Sequence, residues 1–102
     1  MARSVTLCPS DAIAEGRGRQ FQALGRDIAV FRQDGRLFAL DGRCPHQGGP
    51  LGEGELLGRH VACVWHGWSF DLETGRCAEE PDESVACFPV READGRVIVE
   101  LP

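Results

Sequence analysis

Short apolar segments separated by glycine-containing turns run along this chain, and no stretch keeps the 3.6-residue period of a long amphipathic helix. Two pairs of segments rich in β-forming residues each flank an Asp-Gly dipeptide, which favours a type I′ hairpin turn. The pairs are residues 27–33 with 36–41, around Asp34-Gly35, and residues 85–92 with 96–101, around Asp94-Gly95. This pattern predicts two β-hairpins.

Further strands are predicted where apolar and polar positions alternate between turn signals. These segments are residues 4–7, 20–24, 60–64 and 68–72. Residues 11–15 follow Pro9 and are predicted to form one helical turn. Residues 42–58 are rich in glycine and proline, and we expect them to form a functional loop without regular structure. The chain is therefore predicted to be an all-β domain.

Length, composition and charge exclude several functional classes for this protein. The 102 residues suffice for one small domain, and an apolar fraction of 42% is typical of a folded protein. No segment has the apolar length of a signal peptide or a membrane span, so we expect a cytoplasmic protein that binds no membrane. The net charge of −5 argues against a nucleic-acid partner. Five cysteines without an export signal favour metal ligation or burial over disulfides.

Four of the soft ligand side chains follow a regular pattern. Cys44 and His46 form a C-x-H pair, and Cys63 and His66 form a C-x-x-H pair in the sequence CVWHGW. A single zinc ion is one alternative, but zinc fingers usually pair cysteine with cysteine and histidine with histidine. Here the ligand types alternate, so two facing loops would place both thiols at one end and both imidazoles at the other. This arrangement suits a dinuclear centre better than one tetrahedral ion.

The pattern resembles the signature of Rieske-type [2Fe–2S] proteins, including bacterial Rieske ferredoxins and nitrite reductase small subunits. The resemblance extends to the run CPHQGGPLGEG and to the Phe-Asp-Leu and Thr-Gly residues beyond the second pair. It implies that Cys44 and Cys63 ligate the inner iron, and that His46 and His66 ligate the outer iron. The implied fold is a small antiparallel β base, sandwich-like or barrel-like, with an inserted cluster-binding subdomain. Residues 1–102 would form this single domain, with the subdomain at about residues 43–76.

The resemblance also implies a low reduction potential. High-potential members of the family carry a disulfide between the two ligand loops, whereas this chain has Gly49 and Trp65 at those positions. They also carry a serine and a tyrosine that donate hydrogen bonds to the cluster sulfurs. The matching positions here are Trp68 and Phe70, which lack these hydroxyls, and fewer donors leave the reduced cluster less stabilised.

The other three cysteines, the third histidine and the two tryptophans are expected to have mainly structural roles. Cys8, Cys77 and Cys87 lie outside the signature and are predicted to be packed thiols, because cysteine is among the most buried residue types. His60 lies on a predicted strand and is expected to be a partly exposed strand residue. Trp65 and Trp68 could shield the cluster or present a contact surface, but core packing is the commonest role of a strand tryptophan in a small β domain.

These observations favour a one-electron carrier that is not itself an enzyme. By resemblance, it would take electrons from a flavin-dependent reductase and pass them to a terminal oxygenase. The alternative is the small subunit of an assimilatory NAD(P)H nitrite reductase, bound to its large subunit. A structural or regulatory module without a cluster is disfavoured because all four ligand residues are present.

Overall fold

The computed structural model describes residues 3–44, 48–64 and 68–102, and its regular structure is extended apart from two three-residue 3-10 helices. The 3-10 helices cover Ser10–Ala12 and Leu51–Glu53. The strands in the described residues are β1 (Arg3–Pro9), β2 (Arg17–Ala23), β3 (Arg26–Gln33), β4 (Arg36–Asp41), β5 (Glu55–Leu57), β6 (His60–Ala62), β7 (Ser69–Asp71), β8 (Cys87–Phe88), β9 (Val90–Ala93) and β10 (Arg96–Leu101). The predicted all-β class is confirmed.

The strands form three antiparallel sheets arranged around two cores. The sheets have the strand orders β1-β10-β9, β2-β3-β4-β8 and β5-β6-β7. The base core lies between the first two sheets, and its buried members are Ile13, Ile28, Val30, Ala39, Phe88, Val97, Val99 and Leu101. The site core lies between the second and third sheets, and its buried members are Ala29, Phe31, Leu40, Cys44, Leu51, Val61, Cys63, Phe70, Leu72, Cys77 and Val85. The four-stranded sheet is therefore covered on both faces.

Strand β3 explains why one sheet can serve two cores. Successive side chains of a strand point to opposite faces. Ile28 and Val30 enter the base core, whereas Ala29 and Phe31 enter the site core. All four are fully buried, so a continuous apolar run replaces the usual alternation of apolar and polar residues. This strand fixes the ligand-bearing part of the chain to the base.

Both predicted hairpins are present. Asp34-Gly35 joins β3 to β4 and Asp94-Gly95 joins β9 to β10, and all four residues have a positive φ, as a type I′ turn requires. A third turn of the same kind, Leu24-Gly25, joins β2 to β3, with φ of 53° and 75°. The sequence did not indicate this turn because leucine is not a turn-forming residue.

Three predictions about local structure are wrong. Residues 85–92 do not form one strand, since Pro89 separates β8, which pairs with β4, from β9, which pairs with β10. Proline has no N–H for a sheet ladder, so the chain changes sheets at this residue. Residues 42–58 do contain regular structure, because Leu51–Glu53 is a 3-10 helix and Glu55–Leu57 is strand β5. The predicted helical turn at residues 11–15 is instead the 3-10 helix Ser10–Ala12.

No helix within the three described ranges is both long enough and apolar enough to cross a bilayer.

Candidate metal centre

The structure places both signature cysteines in the site core. Cys44 lies just beyond the end of β4, and Cys63 immediately follows β6. Their relative exposures are 1% and 2%, so each is shielded from bulk water. His46 and His66 lie outside the described residues, as do Pro45, Trp65 and Gly67. Cys44 and Cys63 belong to the same buried cluster, and ligation by the two cysteines and the two histidines remains a prediction.

The first ligand-bearing turn, residues 42–52, is closed by main-chain hydrogen bonds and is here called the first loop. The N–H of Cys44 donates to the carbonyl of Gly49 at 2.9 Å, and the N–H of Gly48 donates to the carbonyl of Cys44 at 2.7 Å. At the base of the loop, the N–H of Leu51 donates to the carbonyl of Gly42 at 2.9 Å. The backbone of Cys44 is therefore held at both its N–H and its carbonyl.

The second ligand-bearing turn, residues 63–68, connects β6 to β7 and is here called the second loop. The N–H of Cys63 donates to the carbonyl of Trp68 at 2.7 Å. Just below this contact, Ala62 pairs with Ser69, and Val61 pairs with Phe70. Cys63 thus begins a turn whose two ends are joined, as Cys44 does in the first loop.

The surroundings of the two thiols suit a soft metal centre. Their neighbours in the site core are hydrocarbon side chains or sulfur, and no polar or charged side chain among the described residues is buried. Thiolates prefer soft metals and iron–sulfur clusters, and an apolar shell limits the access of solvent to them. Within the described ranges, no group of three or more histidine, cysteine, aspartate or glutamate side chains could hold a metal ion. Of the four predicted ligands, the described residues therefore include the two thiols. The residues present fit half of a two-cysteine, two-histidine donor set.

Two aromatic residues lie at the positions where the resemblance places hydroxyl donors. Phe70 is fully buried in the site core, and Trp68 is partly buried against it. Phenylalanine has no polar hydrogen to donate, so Phe70 contributes only apolar contact. The expected core role of Trp68 agrees with its packing.

The three other cysteines differ from one another. Cys77 is buried in the site core, with its Sγ 3.6 Å from Oε1 of Glu79. Cys8 is half-buried at the edge of the base core, and burial raises the pKa of its thiol. Cys87 is exposed, so the prediction that it is a packed thiol is wrong. It lies on β8, where its neighbour Phe88 takes the buried position. His60 is half-buried on β6, as expected.

Two polar residues that support the loops were not indicated by the sequence. The carboxamide of Gln20 contacts both ends of the first loop, and the carboxylate of Glu79 contacts the residue that follows the second loop. Gln20 begins one of the predicted strands and Glu79 lies in a segment rich in acidic residues, and polar side chains are common in both contexts. Only their tertiary contacts distinguish them from other polar residues.

Comparison with known sequences identifies the family. The sequence model of the Rieske [2Fe-2S] domain matches residues 3–89. The chain belongs to the Rieske [2Fe-2S] domain family. The cofactor of this Rieske domain is a [2Fe–2S] cluster, and the two thiols buried in one apolar core are consistent with it.

The Rieske chain is similar to a ferredoxin component and to a nitrite reductase small subunit over most of their length. It is 34% identical to the ferredoxin component of the p-cumate 2,3-dioxygenase system of Pseudomonas putida, covering 95% of this chain and 85% of the relative. Its fold matches a chain assigned as the small subunit of an NADH-dependent nitrite reductase from Mycobacterium tuberculosis. That match has a TM-score of 0.92 at 27% identity and covers 100% of this chain and 97% of the other.

Larger proteins also contain a similar segment. The chain is 35% identical to the oxygenase component assigned to a 3-ketosteroid-9-alpha-monooxygenase of Rhodococcus rhodochrous, over 84% of this chain, but it spans only 23% of that relative. It spans 17% of a cholesterol 7-desaturase and 15% of a 4beta-methylsterol monooxygenase. Membership of the family therefore does not by itself define the activity of the whole protein.

Proposed function

We propose that this Rieske domain is a low-potential one-electron carrier without substrate chemistry of its own. Cys44 and Cys63 would ligate one iron of the cluster, and His46 and His66 would ligate the other. The observation that carries this proposal is the burial of both thiols in one apolar core, each at the start of a closed turn. We place the cluster-binding subdomain at about residues 43–76, a range that includes β5, β6 and β7.

The residues of the chain would define the environment of the cluster. When bound, a Rieske cluster supplies one-electron redox chemistry within a range of about −150 to +300 mV. The site core excludes water from the two thiolates, and the closed loops limit their movement between oxidation states. Phe70 supplies no hydroxyl donor, which leaves additional negative charge less stabilised. These features support a potential near the low end of the range.

The proposed partners are a flavin-dependent reductase as donor and a terminal oxygenase as acceptor. This proposal is supported by similarity to ferredoxin components over more than three quarters of their length. Besides the p-cumate system, the chain is 31% identical to the ferredoxin component of an alkene monooxygenase system of Xanthobacter autotrophicus, over 93% of this chain and 79% of the relative.

A second candidate is the small subunit of an assimilatory NAD(P)H nitrite reductase. Its specific support is the structural match to the Mycobacterium tuberculosis chain, which covers both proteins almost completely. In that case the domain would transfer electrons within a stable complex rather than by diffusion. A cytoplasmic location suits both candidates and remains a prediction from the sequence.

One experiment separates the two candidates. The protein is purified from its native host and tested for iron and acid-labile sulfide, with about two of each expected per chain. The sample is then mixed with an NADH-dependent flavoprotein reductase and a Rieske oxygenase, and reduction and reoxidation are followed by stopped-flow absorbance. Rapid turnover by an isolated chain supports the carrier. Copurification with a large sirohaem protein supports the nitrite reductase subunit, and a colourless zinc protein contradicts both.

A further inference from the structure

The side chain of Gln20 connects strand β2 to both ends of the first loop. Gln20 lies on β2, and its carboxamide is partly buried. Its Nε2 donates to the carbonyl of Gly42 at 2.8 Å, and its Oε1 accepts the N–H of Gly52 at 2.8 Å. Because Gly42 and Gly52 begin and end the loop that carries Cys44, one side chain holds both ends.

The backbone around Gln20 is shaped to admit its carboxamide. A Cβ atom at Gly42 would overlap Nε2 of Gln20, and a Cβ atom at Gly52 would lie 2.6 Å from Oε1. Both glycines are buried, so their main-chain groups have little access to water that could replace Gln20. Two glycines thus leave the space that this one side chain fills.

The same junction also holds the main chain that leads to Cys44. The N–H of Gly42 donates to the carbonyl of Asp27 on β3 at 2.8 Å, and the carbonyl of Gly42 accepts the N–H of Leu51 at 2.9 Å. Gln20 adds a second donor to that carbonyl and extends the contact to Gly52. Only Arg43 separates this junction from Cys44, so a shift of Gly42 would be transmitted directly to the thiol.

Few other side chains could make this pair of contacts. A primary amide presents one donor and one acceptor side by side, as the facing carbonyl and N–H require. An ionised glutamate can accept from Gly52 but cannot donate to Gly42, and asparagine is shorter by one methylene. The role therefore depends on the amide of Gln20 and on its length.

We propose that Gln20 is a positioning residue of the metal centre, which holds the first loop closed and thereby sets the placement of Cys44. The contacts lie outside the β2–β3 ladder, in which residues 17–23 already pair with residues 26–32. Loss of the amide should therefore loosen the loop more than the sheet. The inference rests on the proposed ligation by Cys44.

The matched control is Gln33, which makes the same kind of contact away from the ligand loops. Its Nε2 donates to the carbonyl of Gly58, in the turn between β5 and β6. We would compare Gln20→Met and Gln33→Met, because methionine approximates the shape of glutamine without its hydrogen-bonding groups. Three properties are measured on the purified protein: iron release to a chelator, the electron paramagnetic resonance spectrum of the reduced protein, and amide hydrogen exchange at residues 48–54.

We expect Gln20→Met to release iron at least about tenfold faster than wild type, since it loses two hydrogen bonds and leaves the N–H of Gly52 without its acceptor. Its resonance spectrum should shift, and the amide of Gly52 should exchange faster. Gln33→Met should match wild type in all three. A Gln20→Met protein with a lower melting temperature but unchanged iron release and spectrum would show a merely structural role and overturn the proposal.

A second variant covers the case in which Gln20→Met does not fold. Gln20→Glu keeps an acceptor for Gly52 but places an anionic oxygen against the carbonyl of Gly42 where wild type has a donor, so iron release should be faster than in wild type. Release at the wild-type rate would overturn the proposal. If wild-type protein held no iron–sulfur cluster, the proposed function would fail by itself. The exchange of the Gly52 amide would then still decide whether Gln20 closes the loop.

Discussion

The carboxylate of Glu79 binds Ser69 at two points, accepting its N–H at 2.8 Å and its hydroxyl at 2.9 Å. A main-chain hydrogen bond also joins the two segments: the N–H of Ala78 donates to the carbonyl of Ser69 at 2.9 Å. Ser69 directly follows the second loop, whose ends are joined by the bond from Cys63 to Trp68. Glu79 therefore supports the second loop from outside the site core.

Removing the charge of Glu79 should reduce stability in a pH-dependent way. The N–H of Ser69 holds the pKa of Glu79 below its ordinary value of 4.5, so the native state favours the ionised form. This contribution is complete above the ordinary pKa and is lost as the pH falls through the lower native pKa. Because Glu79 is exposed, we expect Glu79→Gln to lower the free energy of unfolding by about 1 kcal/mol or less at neutral pH.

Urea unfolding at about pH 7 and about pH 4 measures this effect. The difference between wild type and Glu79→Gln should shrink at the lower pH, and the exposed neighbour Glu80, changed to glutamine, serves as the control. An equal difference at both pH values would mean that the carboxylate charge of Glu79 is not what stabilises Ser69.

Substitution of the cysteines should separate ligands from packed thiols. Cys44→Ser and Cys63→Ser should each abolish the cluster, because serine does not replace a thiolate in the expected ligand set. Cys8→Ser and Cys87→Ser should retain it. Cys77→Ser should also retain it, because Cys77 lies outside the ligand signature, although burial of a hydroxyl in the site core should lower stability. Iron content, sulfide content and the visible spectrum show whether each variant holds the cluster. Loss of the cluster in Cys8→Ser, Cys77→Ser or Cys87→Ser would contradict the ligand assignment.

Local turn chemistry explains which parts of the fold the sequence could predict. Asp34-Gly35 and Asp94-Gly95 adopt the positive φ angles that these residues tolerate, so the hairpins around them were correctly predicted. The turn at Leu24-Gly25 has the same geometry, with an exposed leucine at φ 53°. The pairing of β2 with β3 stabilises that conformation, and such a long-range effect leaves no local signal. Strand β5 was missed for the same reason, since β6 provides its hydrogen-bonding partner.

In the candidate site, too, some residues could be predicted from the sequence and others could not. Cys44 and Cys63 could be proposed as ligands from the sequence, because the types and spacing of metal-ligating residues follow from the chemistry of the metal, and their ligand role remains a prediction. Gln20 and Glu79 were not found because their contacts join residues far apart in sequence, 22 positions for Gln20 with Gly42 and 10 for Glu79 with Ser69. Polar residues of this kind are common on any surface strand or loop, so composition alone cannot mark them.

Two glycine positions with nearly the same φ should respond differently to alanine. Gly75 has a φ of +77°, and a Cβ atom there would overlap the carbonyl of Val85, whereas Gly35 has a φ of +75° and open space around it. Gly35→Ala should cost only the left-handed backbone penalty, about 1 kcal/mol. Gly75→Ala should cost roughly 3 kcal/mol or more, because the overlap adds to that penalty. Thermal or urea unfolding measures both, and equal losses would show that the main chain around Val85 yields to the new atom.

The last prediction concerns the reduction potential. Phe70 occupies a position where the family resemblance places a tyrosine hydroxyl donor, and it is fully buried in the site core with both cysteines. We expect the wild-type midpoint near the low end of the Rieske range, about −150 mV. Phe70→Tyr should raise it, because a hydroxyl donated to a cluster sulfur stabilises the more negative reduced state. For a one-electron couple, 59 mV corresponds to a factor of ten, so one new hydrogen bond of about 1 kcal/mol should shift the midpoint by roughly 40 mV.

Protein-film voltammetry of wild type and Phe70→Tyr tests both parts of this prediction. Phe38→Tyr is the matched control. Phe38 is partly buried against the same core, but it lies on β4 of the four-stranded sheet rather than on β7. Its midpoint should stay at the wild-type value, because Phe38 does not occupy a position where the family places a donor. A wild-type midpoint well above 0 mV would contradict the low-potential argument, because the centre would then reach the upper part of the range without that donor. An unchanged midpoint in Phe70→Tyr would instead show that the hydroxyl at this position does not reach a cluster sulfur.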